Sequence, residues 1–322
     1  MKALIIGGTR NLGPSLVSGL LNCGYQVSVL NRGVTRAALP ENVERLTGDR
    51  SDPAQLQSVL IHREFDLVID TTLYTGPDAA ALVRILRGRV GRYVFLSTGQ
   101  VYLVRNGLQR PYREESYDGP VMSDPGGNDH DDWVYGVDKR AAEEVLMDAW
   151  NDDGFPYTTL RLPMVNSERD HHDRIYGYWL RLLDGGPILV PDGPSLPLRH
   201  VYGGDILTAA LLGRPGRAYN ISQDETLTID DFLQRLAAAA GKPLQTVRVA
   251  REKLNAMNLL PACSPFSGEW MSVLDNQRSK VELGMKYTPV NDYLSRLVAY
   301  HQGQPRRETP GYLQRARELE VV

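Results

Sequence analysis

Short runs rich in apolar residues alternate with segments of helical periodicity along the first half of the chain. The runs predict six buried strands, over residues 3–6, 26–30, 43–46, 67–70, 92–97 and 157–162. Between them, apolar residues that recur every three or four positions predict helices over residues 12–23, 52–60, 77–86 and 137–150. Strands that alternate with helices in this way indicate an α/β fold with a Rossmann-type, doubly wound parallel sheet.

The pattern becomes less regular after Pro163, where turns rich in glycine and proline follow. One more strand is predicted over residues 218–221, and a helix over residues 229–240 with Thr228 as its N-cap. We therefore expect three parts. They are a Rossmann domain over residues 1–163, a smaller mixed α/β, mainly substrate-binding region over 164–305 with some returns to the main sheet, and a C-terminal tail or helix over 306–322.

Composition narrows the class of function. The chain has 36 Lys and Arg against 39 Asp and Glu, a net charge of −3, so no basic face for nucleic acid is expected. Its two cysteines, Cys23 and Cys263, form neither a metal motif nor a disulfide framework, which favours a cytoplasmic location. No segment fits a signal peptide, and no apolar run reaches the roughly 20 residues that a membrane span needs. We expect a small-molecule substrate and no nucleic-acid, membrane or metal partner.

A glycine-rich turn lies between the first predicted strand and the first predicted helix. One glycine permits the sharp turn, another lets the backbone approach a pyrophosphate, and a third lets helix and strand pack closely. The helix N-terminus then offers free N–H groups to the anion. In a regular G-x-x-G-x-x-G motif, a glycine would stand where this chain has Arg10. A glycine-rich turn that binds no ligand is the alternative interpretation. The context predicts that the turn binds NAD(P) through Gly7, Gly8, Thr9, Arg10, Asn11, Leu12 and Gly13.

The end of the second predicted strand bears on the choice between NADP and NAD. An acidic residue there usually holds the ribose hydroxyls of NAD, but this chain has Asn31 followed by Arg32. Arg32, with Arg10 or Arg36, could bind a 2′-phosphate through a bidentate contact. A solvated surface arginine is the alternative. The sequence therefore favours NADP, with NAD as the other candidate.

Three more residues after predicted strands are candidates for the cofactor site. Asp49, with Arg50 beside it, follows the third strand and is expected at the adenine edge; a turn or helix-capping aspartate is the alternative. Tyr74 follows the fourth strand and is expected to line the nicotinamide pocket, with ordinary packing as the alternative. These positions agree with the rule that ligands of open α/β sheets bind at the carboxyl ends of strands.

The candidate catalytic residues are a tyrosine and a lysine four positions apart. Tyr135 and Lys139 would share one face of a helix. A nearby ammonium favours phenolate, so the pKa of Tyr135 should fall below its usual value of about 10 and make the phenol a usable acid or base. The fifth strand ends in Ser97 and Thr98, either of which could hydrogen-bond the substrate oxygen; we favour Thr98.

These motifs together resemble the extended short-chain dehydrogenases/reductases, also called the NAD-dependent epimerase/dehydratase family. The resemblance implies that Thr98, Tyr135 and Lys139 are the catalytic set. It also implies hydride transfer to or from a carbinol or ketone carbon of a sugar-like substrate, free or nucleotide-linked, and allows a homodimer. The Gly-Gly-Thr-Arg opening is similar to the family's atypical branch, which includes plant chloroplast RNA-associated members. Besides the glycine turn, the resemblance extends over residues 95–102, 133–143, 160–163, 199–205 and 219–221.

The chain also departs from the family's pattern. Gly99 and Gln100 stand where sugar-nucleotide dehydratases carry an acidic pair, so dehydration is disfavoured. Met164 stands where many epimerases have a phosphate-contacting asparagine, although Asn166 is close by, and this weakens a nucleotide-linked substrate. Epimerase and net reductase both stay open. The remaining alternative is a non-catalytic dinucleotide-sensing or RNA-associated binding protein on the same fold.

Three residues are candidates for substrate contacts. Gln100 follows the active-site threonine, His171 lies in a polar stretch after the sixth strand, and Arg199 lies in a region that binds substrate phosphate in related enzymes. A solvated loop is the alternative for the polar stretch. A metal site built from His171, His172 and Asp173 is disfavoured, because adjacent histidines point apart.

Overall fold

The structure is a computed structural model that describes residues 1–35, 38–194 and 196–322. Its strands, in chain order, are β1 (Lys2–Ile6), β2 (Gln26–Asn31), β3 (Glu44–Thr47), β4 (Leu67–Asp70), β5 (Tyr93–Thr98), β6 (Tyr157–Leu162), β7 (Val165–Asn166), β8 (Ile188–Pro191), β9 (Val201–Tyr202), β10 (Arg217–Asn220) and β11 (Thr246–Val249).

The helices follow the same numbering. They are α1 (Gly13–Asn22), α2 (Pro53–Leu60), α3 (Gly76–Leu86), α4 (Gln100–Leu103), α5 (His130–Asp153), α6 (Arg174–Asp184), α7 (Gly203–Leu212), α8 (Ile229–Ala240), α9 (Arg251–Ala256), α10 (Gln277–Leu283), α11 (Val290–Gln302) and α12 (Arg315–Leu319).

Seven parallel strands form the central sheet, in the order β10-β6-β5-β4-β1-β2-β3. Alternate residues of each strand enter different cores, because successive side chains point to opposite faces. In β1, Ile5 packs with the apolar side chains of α1 and α7, whereas Leu4 packs with those of α2, α3 and α5. The Rossmann-type α/β fold is therefore confirmed, with helices on both faces of the sheet.

A third apolar cluster fills the region after β6. It joins α6, α8 and α11, beside two small parallel sheets formed by β7 with β9 and by β8 with β11. Strand β10 returns to the central sheet and pairs with β6. The division into parts at residues 163 and 305 stays a prediction.

The C-terminal segment lies against this region rather than apart from it. Arg181 of α6 and Glu318 of α12 form an ion pair in which both side chains are fully buried. Arg315 adds contacts to Asp184 and to Glu318. Within the described ranges, no helix is long and apolar enough to cross a membrane.

Candidate active site

The glycine turn is built as tightly as its residue types suggest. Gly7 and Gly8 both have positive φ, at 100° and 72°, and a side chain on Gly13 would start 2.2 Å from the Gly8 backbone. Asn11 also has a positive φ of 48°, and its side chain accepts a 2.7 Å hydrogen bond from Ser167. Only residues without a Cβ fit the two closest approaches, so α1 begins directly against β1.

The start of α1 is suited to an anion. Pro14 occupies its first turn, no acidic side chain lies there, and no side chain caps the helix. The Gly13 N–H donates to the Arg10 carbonyl at 2.9 Å and Pro14 has no N–H, so only the remaining N–H groups of the first turn are available to an anion. This is the feature that a pyrophosphate requires, and the turn fits a dinucleotide.

Two predicted phosphate ligands lie near this turn with exposed guanidinium groups. Among the residues that the structure describes, neither Arg10 nor Arg32 forms an ion pair or hydrogen bond through its side chain. Asn31 ends β2 and uses its side-chain oxygen to accept a 2.8 Å hydrogen bond from the Gly33 N–H. Arg36 lies outside the described residues. The end of β2 therefore offers positive charge and no acidic group.

The structure brings Thr98, Tyr135 and Lys139 together at the carboxyl edge of β5. The phenol of Tyr135 lies beside the hydroxyl of Thr98, which acts to lower the pKa of the phenol and itself accepts a 3.2 Å hydrogen bond from the Gln100 N–H. The Nζ atom of Lys139 lies 5.7 Å from the centre of the Tyr135 ring and 4.8 Å from that of Tyr74. Tyr74 is 48% exposed and its ring centre lies 6.2 Å from that of Tyr135, so it lines the same opening.

The prediction that the pKa of Tyr135 falls below its usual value is wrong, because the structure raises it. Burial raises the pKa of Tyr135 to about 12, because its hydrogen bond with Thr98 does not offset the loss of solvent. Lys139 is itself buried, which lowers its pKa to about 7. Its ammonium donates hydrogen bonds of 2.6 Å to the Leu73 carbonyl and 3.1 Å to the Leu96 carbonyl, not to the phenol. Two of its three N–H groups are thereby used within the protein.

A short segment after β4 connects the glycine turn to these residues. A Cβ on Gly7 would lie 2.2 Å from the Thr71 hydroxyl, which donates to the Ile6 carbonyl. Two residues further on, Leu73 accepts the Lys139 hydrogen bond. The turn and the tyrosine–lysine pair thus lie at the same edge of the sheet, connected through residues 71–73.

Ser97, the alternative to Thr98, has a structural partner. It is buried and donates a 2.5 Å hydrogen bond to Glu143. Glu143 also pairs with Arg161, which is buried as well and donates to the Tyr102 hydroxyl. The Ser97 side chain is therefore committed to a buried polar network beneath the cleft, and Thr98 is the hydroxyl beside Tyr135.

The predicted adenine-edge residues have partners within the protein. Arg50 pairs with the fully buried Asp70 at 2.5 Å and lies 3.4 Å from Asp78. The carboxylate of Asp49 accepts a 2.9 Å hydrogen bond from the Ser51 N–H, as a turn aspartate does. Asp70, which sequence reasoning missed, also accepts from the Tyr93 hydroxyl. The sequence feature that could have identified Asp70 is its position as an acidic residue at the end of β4.

The predicted substrate residues lie in different environments. Gln100 is at the cleft and donates a 2.7 Å hydrogen bond to Asp132, which sequence reasoning also missed. Arg199 is directed elsewhere: it donates to the Gln223 carbonyl at 2.9 Å and to Asn276 at 3.2 Å. His171 is exposed and its ring lies against that of His172. The described residues contain no cluster of three potential metal ligands.

Gly136 allows α4 to pack directly on α5 between the two candidate catalytic residues. A Cβ at this position would lie 2.9 Å from the carbonyl oxygen of Gln100 and 2.5 Å from the Val104 side chain. The glycine therefore fixes the distance between Gln100 on α4 and Tyr135 on α5.

A doubly wound sheet with a glycine turn after β1 and a Tyr-x-x-x-Lys helix beside β5 defines a Rossmann-type dinucleotide-binding fold of the short-chain dehydrogenase/reductase class. Residues 78–221 match the model of the NAD dependent epimerase/dehydratase family. Over these residues the chain is similar to this family, in agreement with the resemblance found in its sequence.

Two proteins of known name are similar in sequence to this chain. It is 28% identical to 2'-dehydrokanamycin reductase from Streptomyces kanamyceticus, over 78% of this chain and 70% of that protein. It is also 28% identical to chloroplast stem-loop binding protein of 41 kDa b from Arabidopsis thaliana, over 75% of this chain and 64% of that protein.

The solved structures show the fold. UDP-glucose 4-epimerase from Thermotoga maritima, solved with UDP-glucose, superposes with a TM-score of 0.74 at 19% identity, covering 94% of this chain and 99% of that one. UDP-glucose 4-epimerase from Thermus thermophilus, solved with NAD, gives 0.72 at 20% identity, with coverages of 94% and 99%.

Proposed function

We propose that the chain is an NADPH-dependent reductase that converts a ketone on a sugar-like ring into the alcohol, with Tyr135 as the proton donor. The observation that carries this proposal is the position of Tyr135 beside Thr98, with the Nζ atom of the buried Lys139 5.7 Å from the centre of its ring. A phenol whose pKa is about 12 carries its proton at neutral pH, and the Lys139 ammonium would have to lower that pKa for the proton to pass readily to a substrate oxygen.

The cofactor side of the proposal rests on charge and backbone geometry. The glycine turn and the remaining free N–H groups at the start of α1 would hold the pyrophosphate, and Arg10 and Arg32 would hold a 2′-phosphate. Bound NADPH supplies a hydride. The exposed arginines and the missing acidic residue at Asn31 favour NADPH over NADH.

The chain's own groups then carry out the proton chemistry. The hydroxyl of Thr98 hydrogen-bonds the carbonyl oxygen and holds it at the phenol. As the carbonyl carbon accepts the hydride, the oxygen takes the Tyr135 proton, so ketone, hydride and proton together give one alcohol. The ammonium of Lys139 stabilises the phenolate that remains, and its position in the cleft leaves one N–H for a bound group.

A reductase is favoured over an epimerase for two reasons. Exposed cations at the end of β2 suit a cofactor that is usually exchanged after net reduction. The relative from Streptomyces is named as a reductase of 2'-dehydrokanamycin, a ketone on a sugar-like scaffold. The absence of an acid at Gly99 and Gln100 disfavours dehydration.

The test is a titration of the purified protein with NADPH and NADH, followed by turnover of 2'-dehydrokanamycin monitored by loss of reduced-nicotinamide absorbance. Stoichiometric conversion of NADPH and ketone supports a reductase. Tightly bound NAD that is not consumed would instead make the chain an epimerase. Folded protein with no affinity for either nucleotide would overturn the proposal.

RNA binding is the competing function, because one relative is named as a stem-loop binding protein. The net charge of −3 does not supply the basic face that phosphate neutralisation requires. Titration with a stem-loop RNA at two salt concentrations separates the two functions. Salt-dependent RNA binding without NADPH turnover would favour the competing function.

A further inference from the structure

Gln100 and Asp132 form a contact beside the proposed catalytic residues, but neither has a role in the proposed proton transfer. Asp132 lies on α5, three residues before Tyr135, so both side chains leave neighbouring faces of the same helix. Gln100 begins α4, two residues after Thr98, and donates its amide N–H to one Asp132 oxygen at 2.7 Å. The pair therefore borders the position that the substrate carbonyl would take.

Both groups of this pair have acceptors left over. The side-chain oxygen of Gln100 is buried and has no hydrogen-bond partner among the described residues. The second carboxylate oxygen of Asp132 accepts no hydrogen bond there either. The unpaired Gln100 oxygen fits a donor group on the substrate, because a buried acceptor without a partner costs about 1–3 kcal/mol, and the second Asp132 oxygen can accept from the same donor group.

The charge of Asp132 is also uncompensated. Burial is the main cause that raises its pKa, and the charges acting on it, from Asp129 and Asp131, are both negative. Its place in the first turn of α5 gives it a favourable helix dipole, but exposed Asp131 shares that advantage. A carboxylate in partly buried surroundings calls for a cation, and none of the described residues provides one.

Two arginines that could bind a substrate phosphate, Arg199 and Arg174, already have partners within the protein. Arg199 holds the carbonyls of Gln223 and Asp224 and the side chain of Asn276. Arg174 is paired with Asp170. Asp132 thus places a carboxylate beside Gln100, whereas the guanidinium groups of Arg199 and Arg174 are paired within the protein.

We infer that Asp132, positioned by Gln100, recognises an ammonium substituent on the substrate, and that the chain therefore acts on an amino-substituted sugar-like ketone rather than on a nucleotide-linked one. This inference rests on the proposed reductase function. The ammonium would donate to the free oxygen of Asp132 and to the Gln100 side-chain oxygen, which together hold the ring beside Thr98 and Tyr135.

The test compares 2'-dehydrokanamycin with the same ketone after all its amino groups have been acetylated, which removes the positive charges and keeps the skeleton. In wild type, kcat/KM should favour the charged ketone. Asp132→Asn should lower kcat/KM for the charged ketone by about 10- to 100-fold, mainly through KM, and change that for the acetylated ketone by less than about threefold. Gln100→Leu should act in the same direction, more weakly.

Asp131→Asn is the matched control, because it removes the same charge from the same helix turn at an exposed position. It should leave both ketones within about twofold of wild type. Equal losses for both ketones in Asp132→Asn, or equal losses in the two variants, would overturn the inference.

A binding measurement separates this inference from the proposed function. Calorimetric titration of the NADP⁺-loaded protein with each ketone needs no turnover. If the charged ketone binds more tightly and Asp132→Asn removes the difference, the inference stands even when neither ketone is reduced. If the ketones are reduced but bind equally well to wild type, the reductase function stands and the inference fails.

Discussion

The Nζ atom of Lys139 lies 2.6 Å from the carbonyl oxygen of Leu73, which belongs to the short segment after β4 that contacts the glycine turn. With a second bond to Leu96, this contact fixes the ammonium between the ends of β4 and β5. The Lys139 side chain is almost completely buried, so its charge depends on these two carbonyls for stabilisation. The same geometry sets the acid–base properties of the site.

The buried Lys139 should make stability depend on pH. Its pKa is about 7 in the folded protein and about 10.5 when unfolded, so the unfolded state binds more protons between these values. The free energy of unfolding should therefore rise from pH 7 to pH 9 in wild type relative to Lys139→Met. Denaturant unfolding at several pH values measures the difference in the free energy of unfolding between wild type and Lys139→Met. The contributions of the other titratable groups cancel in this difference. A difference that is flat or falls with pH contradicts the prediction.

Removal of the Tyr135 hydroxyl should abolish proton donation and leave the fold intact. Tyr135→Phe is expected to lower kcat by about 10²- to 10⁴-fold, the range typical of a lost general acid, with NADPH affinity unchanged. Tyr74→Phe is the matched control, since Tyr74 lines the same opening without contacting Thr98, and it should retain activity within about threefold. Steady-state kinetics and NADPH titration give both readouts. Comparable activity in Tyr135→Phe and wild type would remove the proton-transfer role.

The neighbouring hydroxyls of Ser97 and Thr98 should have separable effects. Thr98→Val should lower kcat/KM by about tenfold or more at little cost in stability, because it removes the partner of Tyr135. Ser97→Ala deprives the buried Glu143 of a donor and should lower the free energy of unfolding by about 1–3 kcal/mol while sparing kcat/KM. Kinetics and denaturant unfolding of both variants check the assignment. The opposite pattern would exchange their roles.

Cofactor preference should depend on the guanidinium group of Arg32. Arg32→Ser is expected to weaken NADPH binding by about 10- to 100-fold, because a charge-assisted contact to the 2′-phosphate is lost. NADH, which lacks that phosphate, serves as the internal control and should bind as it does to wild type. Fluorescence titration with both nucleotides gives the two constants. A parallel loss for NADH would place Arg32 outside the 2′-phosphate site.

The buried ion pair at the C-terminus should be essential for stability. Glu318→Gln leaves Arg181 buried without its counterion and is expected to cost about 3–5 kcal/mol. Glu320→Gln, at an exposed position two residues further on, should change stability by less than about 0.5 kcal/mol. Denaturant unfolding of the two variants is the measurement. A small effect of Glu318→Gln would mean that the segment detaches easily.

Elements with strong local signals could be predicted from the sequence. The bounds of β4 and β6 agree with the apolar runs, and α8 begins at the predicted cap, where the Thr228 hydroxyl accepts the Asp231 N–H. Helix α5 begins at His130, seven residues before the predicted Val137. Its first turns carry Asp131 and Asp132, and such polar positions give no apolar periodicity.

The features of the site that depend on tertiary contacts could not be predicted. Arg199 and Arg50 look like free cations in the sequence, but the fold supplies backbone carbonyls for one and Asp70 for the other. The same holds for the pKa of Tyr135, since helix spacing gives its distance from Lys139 and says nothing of burial. The cleft position of Asp132 required the early start of α5 and the packing of α4.

The contact at Gly136 constrains how the cleft can diverge. Because this glycine seats α4 on α5, the side chain at Gln100 and the phenol of Tyr135 belong to one rigid unit. A side chain at this position would force the two helices apart and disturb both the proposed proton transfer and the proposed substrate recognition. We therefore expect a change of substrate to require different side chains near Tyr135. A shift of α4 along α5 is not compatible with their close packing at Gly136.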